Sequence, residues 1–258
     1  MSRERFLVTD LTRMSPSTIC IAGYVKRRDD YECVRPVFHR GLIEETWLYT
    51  TSRIIDPFSV IVLDFHEAKS DPPHIEDWTI AREIVGFDLI FSQEQRKAFL
   101  SSKIPVDRSV ASIFDDKYLQ LETWGAWVPV GSFCRSLGSV RAFDVKVFLD
   151  VRVDPSPRLQ YKVQFSDDDG SAYRLPFTDL AAQRYCQSLI REQNLTPKDA
   201  ARRMSFQLNN ASMVVIRIGL ARPRAPYLNR CSLLVTGIYS FPDYLDGRTH
   251  ADFPRDYA

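Results

Sequence analysis

The chain lacks the local spacings from which common metal and redox sites are built. Its five cysteines are far apart and include no C-x-x-C pair, which excludes a zinc knuckle or a thioredoxin-type motif formed by neighbouring residues. Its four histidines show no H-x-H or H-x-x-x-H spacing. We therefore expect no metal and no cofactor, and we expect the cysteines to be buried free thiols.

The familiar sequence signatures of catalysis are also missing. The chain contains no G-x-S-x-G elbow, no Walker loop and no G-x-G-x-x-G turn. His66-Glu67 lacks the second histidine of a zincin helix, and the acidic turn at residues 167–170 lacks the glutamate that completes a calcium loop. The sequence therefore predicts a protein that is not an enzyme.

Long apolar runs and a strong net charge are absent as well. No run approaches the roughly 18 to 20 residues that span a bilayer, and residues 1–5 lead into a strand-like run instead of a signal-peptide core. The net charge of +1 gives no global basic field of the kind that a general DNA-coating protein has. With 258 residues, the chain suits one large domain or two small ones. We expect a soluble, cytoplasmic protein with no membrane contact.

Apolar runs of strand length are present from the start of the chain. Residues 6–14, 20–24 and 33–37 are separated by polar, turn-forming residues and predict a β-meander. Residues 57–63 predict a further, buried strand. Arg35 interrupts the third run just before a proline, and such an arginine needs an anionic partner. The partner is either a carboxylate inside the fold, with Asp10 and Asp64 as candidates, or a phosphate outside it.

The rest of the chain predicts helices between further strands. Ser92 to Gln95 has the pattern of a capping box, and Asp107 is a candidate cap for a short turn near residues 110–114. A soft domain boundary falls between residues 101 and 120. Strands are predicted at 124–130, 143–151, 159–165, 172–175, 213–220 and 231–240. Two helices are predicted between the strands at 172–175 and 213–220. The first begins after Asp179 and the second begins at Pro197.

This pattern predicts a β-rich α+β fold with two small barrels joined and flanked by short helices. A faint internal echo agrees with two related modules. Residues 21–24 resemble residues 236–239 in composition, and residues 34–36 resemble residues 221–223.

The first 80 residues resemble the dual OB-fold domain proteins of prokaryotes. Members of that family open with an apolar strand and a turn bearing arginine, then a Cys-x-Ala-Gly strand, then an apolar-Arg-Pro-Val strand. The matches here are Leu7-Val8 with Arg13, the run 20–23 and the run 34–37. Cys33 stands where the family often has an aromatic residue.

The resemblance implies two OB-like barrels, the first within residues 3–105 with a helical extension and the second within residues 120–242 with two inserted helices. Residues 243–258 are predicted to form an irregular tail. The resemblance also implies binding in nucleic-acid-linked conflict or defence systems, without a catalytic constellation. OB folds bind oligonucleotides on the face of their second and third strands and on the neighbouring loops.

Charge and aromatic patterning supply candidate nucleic-acid-binding residues. Residues 201–242 contain six arginines and no acid, whereas residues 63–94 contain eight acids against two basic residues. This asymmetry indicates either a basic groove in the second barrel or an acidic segment that packs against the basic one. The candidate residues are Arg13, Tyr24, Arg35, Arg217, Arg222, Arg224 and Tyr239.

Three functions stay open at the level of sequence. The first is non-catalytic binding of single-stranded or structured DNA or RNA, as the recognition module of a larger prokaryotic system. The second is a protein–protein adaptor that docks an effector enzyme, favoured by the near-neutral charge and the abundant tyrosine and phenylalanine. The third is a nuclease or nucleotide-modifying enzyme that would use His66 or His74.

Overall fold

The computed structural model describes residues 1–50, 53–102, 106–123, 125–152 and 158–254. Strands account for 48% of the chain and helices for 19%, which confirms the predicted β-rich α+β class. Within the described ranges, no helix combines the length and the apolar character needed to cross a membrane. The predicted strand position Trp124 and the last four residues of the predicted tail lie outside the described residues.

Most of the predicted strands and helices are found close to their expected positions. The first half of the chain forms β1 (Ser2–Arg13), β2 (Thr18–Arg27), β3 (Asp30–Phe38), β4 (Ile43–Glu44), β5 (Ser59–Ala68), β6 (Asp77–Ile80), β7 (Gly86–Ile90), α1 (Gln93–Ser102) and α2 (Val110–Ile113). The second half forms β8 (Gln120–Glu122), β9 (Gly125–Pro129), β10 (Leu137–Arg141), β11 (Phe143–Arg152), β12 (Arg158–Ser166), β13 (Ala172–Pro176), α3 (Leu180–Arg191), α4 (Pro197–Asn209), β14 (Met213–Leu220) and β15 (Arg230–Phe241). Short 3₁₀ turns occur at Glu45–Leu48 and His250–Asp252.

The first barrel is a closed ring of five strands. The predicted meander β1-β2-β3 is antiparallel, β3 pairs in parallel with β6, and β5 joins β6 back to β1. Counted along the chain, the order around the ring is 1-2-3-5-4-1, which is the OB-fold topology. The apolar faces of these strands, from residues such as Val8, Ile21 and Leu63, fill the interior.

The second barrel repeats the same order with later strands. Its first strand is β10 continued by β11, its second and third are β12 and β13, and its fourth and fifth are β14 and β15. The ring closes where Phe177 forms a parallel bridge with Val235 and the Thr178 amide donates to the Val235 carbonyl at 2.9 Å. Helices α3 and α4 lie between the third and fourth strands of this barrel.

Local capping determines where the helices begin. Asp179 accepts a hydrogen bond from the Ala182 amide, and Thr196 accepts one from the Asp199 amide, with Pro197 in the first turn. For α2, the prediction of an Asp107 cap was wrong, because Ser109 caps the helix. The Asp107 carboxylate instead pairs with Arg135 at 2.5 Å.

The two barrels are packed against each other through a shared core. Leu7 and Tyr24 of the first barrel form one apolar cluster with Val215 and Phe241 of the second. Phe99 of α1 belongs to the same cluster, so α1 lies at the junction. The domain boundary near residues 101–120 stays a prediction. The shared apolar cluster contains residues from both sides of it.

The two pairs of similar segments in the sequence do not lie in equivalent strands of the two barrels. Residues 21–24 lie in the second strand of the first barrel, whereas residues 236–239 lie in the fifth strand of the second. The duplication is instead visible in the loops between the fourth and fifth strands. Loop A (residues 69–76) contains an isolated bridge between Asp71 and His74, and loop B (residues 221–229) contains one between Arg224 and Tyr227.

Gly23 allows β1 and β2 to approach closely, so we expect Gly23→Ala to destabilise the fold. A Cβ at this position would lie 2.0 Å from the Leu7 carbonyl oxygen. Overpacking of this kind costs about 1–3 kcal/mol or more. Gly86→Ala is the matched control, because its Cβ would meet Val62 at an ordinary 3.9 Å. Urea denaturation of both variants checks the prediction, and equal stabilities would contradict it.

Candidate functional site

A cleft of about 610 Å³ separates the two barrels. One wall comes from the first three strands of the first barrel and the turn after β1, and the other comes from β14, β15 and loop B. Most of its lining is apolar: Met14, Ile19, Pro36, Val37, Phe38, Leu137, Leu220 and Leu234. The walls of the cleft are therefore mostly apolar, and polar groups form the smaller part of its surface.

Loops A and B, the ligand loops of the two OB folds, converge on the mouth of this cleft. Loop A contributes Lys69 and Asp71, and loop B contributes Arg222 and Arg224. All four side chains are exposed, and three of them are cationic. The equivalent loops of two barrels thus place positive charge at one opening, which neither barrel could build alone.

Asp77 joins the two loops beneath the mouth of the cleft. Its buried carboxylate accepts a hydrogen bond from Arg35 Nε at 2.6 Å and pairs through its other oxygen with Arg222. Its carbonyl oxygen accepts from the Lys69 amide at 2.8 Å. Two guanidinium groups share this carboxylate, and the buried Glu76 carboxylate also stabilises the charge of Arg35, so the positive charges at this point are balanced.

Arg35 therefore has a carboxylate inside the fold, but not one of the two candidates named from the sequence. Asp64 pairs with Arg3 at the surface, and Asp10 pairs with Arg217. Arg35 is 6% exposed and still lines the cleft. Arg35 is therefore held in an ion pair inside the fold and also forms part of the cleft lining.

Arg217 is fully enclosed between the barrels. Its guanidinium donates to Asp10 at 2.9 Å, to the Tyr24 hydroxyl at 2.6 Å and to Ser139 at 2.9 Å. Asp10 and Tyr24 belong to the first barrel, whereas Arg217 and Ser139 belong to the second. The side chain is used to join the two barrels and is not available to a phosphate in this conformation.

The two predicted stacking tyrosines also lie at this junction, where Tyr24 is buried and Tyr239 is half-buried. Burial raises the pKa of the Tyr24 hydroxyl, which accepts from Arg217. The Tyr239 hydroxyl donates to the Thr9 carbonyl oxygen. Their rings pack against Phe99 and Phe58, respectively. Tyr24 therefore cannot stack on a base in this conformation, and the half-buried Tyr239 ring is packed at the junction.

Four of the seven predicted residues do come together. Arg13, Arg35, Arg222 and Arg224 all line the cleft, although they are separated by up to about two hundred residues along the chain. Arg13 is 13% exposed and lies 3.8 Å from the Glu45 carboxylate. A binding role for these four arginines stays a prediction, while Arg217, Tyr24 and Tyr239 are not among the residues that line the cleft.

The charge asymmetry of the sequence is used in part for internal pairing. Within the residues 201–242, Arg202 pairs with Asp199 and Arg230 with Glu122, in addition to the pairs of Arg217 and Arg222. Arg222 meets the acidic segment through Asp77. The acidic segment therefore contacts the basic one at the mouth of the cleft, and the basic groove stays a prediction.

Sequence reasoning missed Lys69 and Asp77 as members of the site. Both lie in the acidic segment 63–94, whose overall charge concealed the single lysine. The signal that could have identified them is the proline-rich turn at residues 71–74, at the position where an OB fold has its fourth-to-fifth-strand loop.

His74, in loop A, should make the protein sensitive to acid. Both ring nitrogens are buried and have no hydrogen-bond partner in the part of the chain that is described. Burial, together with Arg35 and Arg222, lowers the pKa of His74 to about 3. Because the unfolded chain takes up this proton near pH 6.5, stability should fall by about 1.4 kcal/mol per pH unit below that value.

The measurement is urea denaturation at pH 7 and pH 5 for the wild type and for His74→Leu. The variant should lose about 2 kcal/mol less than the wild type over this interval. Comparing the two proteins is necessary because buried Asp179, whose pKa burial raises to about 7, has the opposite pH dependence. Equal losses in both proteins would contradict the assignment.

The described residues contain no group of three or more histidine, cysteine or acidic side chains placed to hold a metal ion. All five cysteines are free thiols, and three of them are buried.

Comparison with known proteins agrees with the topology. Comparison with curated proteins found no significant match. A family model described as "Dual OB-containing domain" matches residues 11–238, which covers both barrels and the cleft between them. The chain therefore belongs to the family of dual OB-containing domain proteins.

Proposed function

We propose that this protein binds nucleic acid, single-stranded or structured DNA or RNA, in the cleft between its barrels. The observation that carries the proposal is the convergence of loops A and B on one opening. OB folds generally bind oligonucleotides with these loops and the adjacent strands. Here both loops deliver cations, from Lys69, Arg222 and Arg224, to the same place.

The composition of the cleft fits an unpaired strand better than a duplex. Binding of single strands combines cations that contact phosphates with apolar or aromatic surfaces that receive bases. The cleft has five cationic and three acidic side chains in its lining, above walls that are mostly apolar. In a duplex the base faces are already stacked inside the helix and could not use those walls.

The proposal assigns binding and no reaction to the cleft. Its buried carboxylates Asp10 and Asp77 are held by Arg217 and by Arg35 with Arg222. In these pairs both carboxylates serve to hold the barrels and loops together. We therefore propose a non-catalytic recognition module within a larger prokaryotic defence system, the role that the family resemblance implies.

The test is fluorescence anisotropy with labelled single- and double-stranded DNA and RNA at several salt concentrations. Single strands should bind more tightly than duplexes. Affinity should fall with a log–log slope near −2, since three phosphate contacts at about −0.7 each give that value. Absence of binding to all four ligands at low salt would refute the proposal.

A protein-binding adaptor is the second candidate, favoured by exposed apolar side chains beside loop B. Phe133 is 78% exposed and Leu228 is 68% exposed. The Val130 amide donates to the Asn229 carbonyl, which holds the segment before Phe133 against loop B. A stoichiometric protein partner that is lost on Phe133→Ser, in a protein that binds no nucleic acid, would favour this function.

A further inference from the structure

We infer that the cleft takes a single unpaired nucleotide, with its base between the apolar walls and its phosphate at the cationic mouth. This inference rests on the proposed function and makes it more specific. An open OB surface binds a run of several nucleotides. The second barrel closes this cleft from the other side, which changes what it can hold.

The dimensions of the cleft are those of a small-molecule pocket. Its volume of about 610 Å³ lies within the range of roughly 300–1,000 Å³ that is typical of such pockets. Leu137, Leu220 and Leu234 of the second barrel cover the side that would be open in a lone OB fold. A strand lying flat along the barrel would be blocked by them, whereas one base inserted edge-first would not.

The floor of the cleft is polar and rigid. Asp10 accepts from Thr236 at 2.5 Å and from Arg217, and Thr12 is 8% exposed beside it. Because Asp10 and Thr236 are held in a buried network, they present fixed polar atoms to whatever occupies the cleft. Fixed polar groups in an apolar pocket orient a ligand, and a base edge carries the donors and acceptors to meet them.

The mouth of the cleft supplies the complementary anion site. Arg222 is 45% exposed although it pairs with Asp77, and Lys69 and Arg224 are exposed beside it. Their charges lie at the opening and not on the floor. A nucleotide with its phosphate at the mouth and its base inside therefore places its negative charge beside the cations. The same orientation places the faces of its base beside the apolar walls.

The experiment is competition against a labelled single-stranded oligonucleotide. The competitors are the four nucleoside 5′-monophosphates, inorganic phosphate and the uncharged nucleosides, at matched ionic strength. At least one monophosphate should displace the oligonucleotide at a concentration about tenfold or more below that of inorganic phosphate. Binding of the same monophosphate is then measured directly by calorimetry.

Two variants fill the cleft, and one control does not. Ala221→Phe and Met14→Trp place bulk inside the lining, whereas Ala172→Phe adds the same bulk at an exposed position of β13. The first two should weaken monophosphate binding about tenfold or more, and the control should not. Unchanged melting temperatures show that the variants are folded.

Failure of this inference and failure of the proposed function have different signatures. If the oligonucleotide binds but no monophosphate competes better than phosphate, and the filled variants bind normally, the single-nucleotide cleft is wrong and the nucleic-acid function stands. If the oligonucleotide itself does not bind, both are wrong.

Discussion

Arg217→Met is expected to lower the free energy of unfolding by about 3–5 kcal/mol, because it leaves a buried carboxylate without its cation. Arg217 is 0% exposed and donates to Asp10, Tyr24 and Ser139. Methionine fills much of the space but supplies no charge and no donor. The Asp10 carboxylate would keep its bonds from the hydroxyls of Thr9 and Thr236, which are uncharged donors.

Urea denaturation followed by tryptophan fluorescence measures this effect. Arg202→Met is the control, since Arg202 is 68% exposed and its pair with Asp199 is a surface contact that contributes little to stability. The double variant Arg217→Met/Asp10→Asn should cost less than the sum of the two single changes, because it removes both charges together. A loss below 1 kcal/mol for Arg217→Met would show that this pair does not join the barrels.

Lys69→Glu combined with Arg224→Glu is expected to weaken single-strand binding about 100-fold or more. Each change removes a charge-assisted phosphate contact, worth about 1.5–3 kcal/mol, and places a negative charge at the mouth of the cleft. One residue comes from loop A and the other from loop B, so the double variant tests whether both loops act on one ligand. Both side chains are exposed, and the fold should be preserved.

The salt dependence distinguishes a local contact from a change in net charge. The double variant should lose about 1.4 from the magnitude of the log–log slope, which corresponds to two phosphate contacts at about 0.7 each. Arg108→Glu combined with Arg202→Glu makes the same change in net charge at two exposed positions outside the cleft lining. If this control weakens binding equally, the cleft is not the site.

The sequence predicts the strands well because the patterns that indicate them are formed by neighbouring residues. The alternation of apolar and polar residues over 159–165, the apolar runs that become β1 to β3 and the caps at Asp179 and Thr196 all depend on neighbours a few residues away. The resemblance in the first 80 residues then supplied the barrel topology for the whole chain. The family match over residues 11–238 agrees with that inference.

The candidate site could not be derived in the same way because its contacts are distant in the chain. Arg217 and its partner Asp10 are 207 residues apart, and Arg222 and its partner Asp77 are 145 apart. Nothing in the local sequence distinguishes an arginine that meets a carboxylate, such as Arg217, from one at the mouth of a cleft, such as Arg224. Lys69 gives no clear signal for a related reason, since it lies among acidic residues, two of which line the same cleft.

Photochemical crosslinking locates the ligand most directly. A single-stranded oligonucleotide that contains 4-thiouridine or 4-thiothymidine is irradiated with the wild-type protein, and the attached peptides are identified by mass spectrometry. The account predicts crosslinks within residues 10–22, 35–43 and 219–224, which line the cleft from both barrels. Crosslinks confined to the outer face of β12 and β13 would contradict it and would place the bound strand on the second barrel alone.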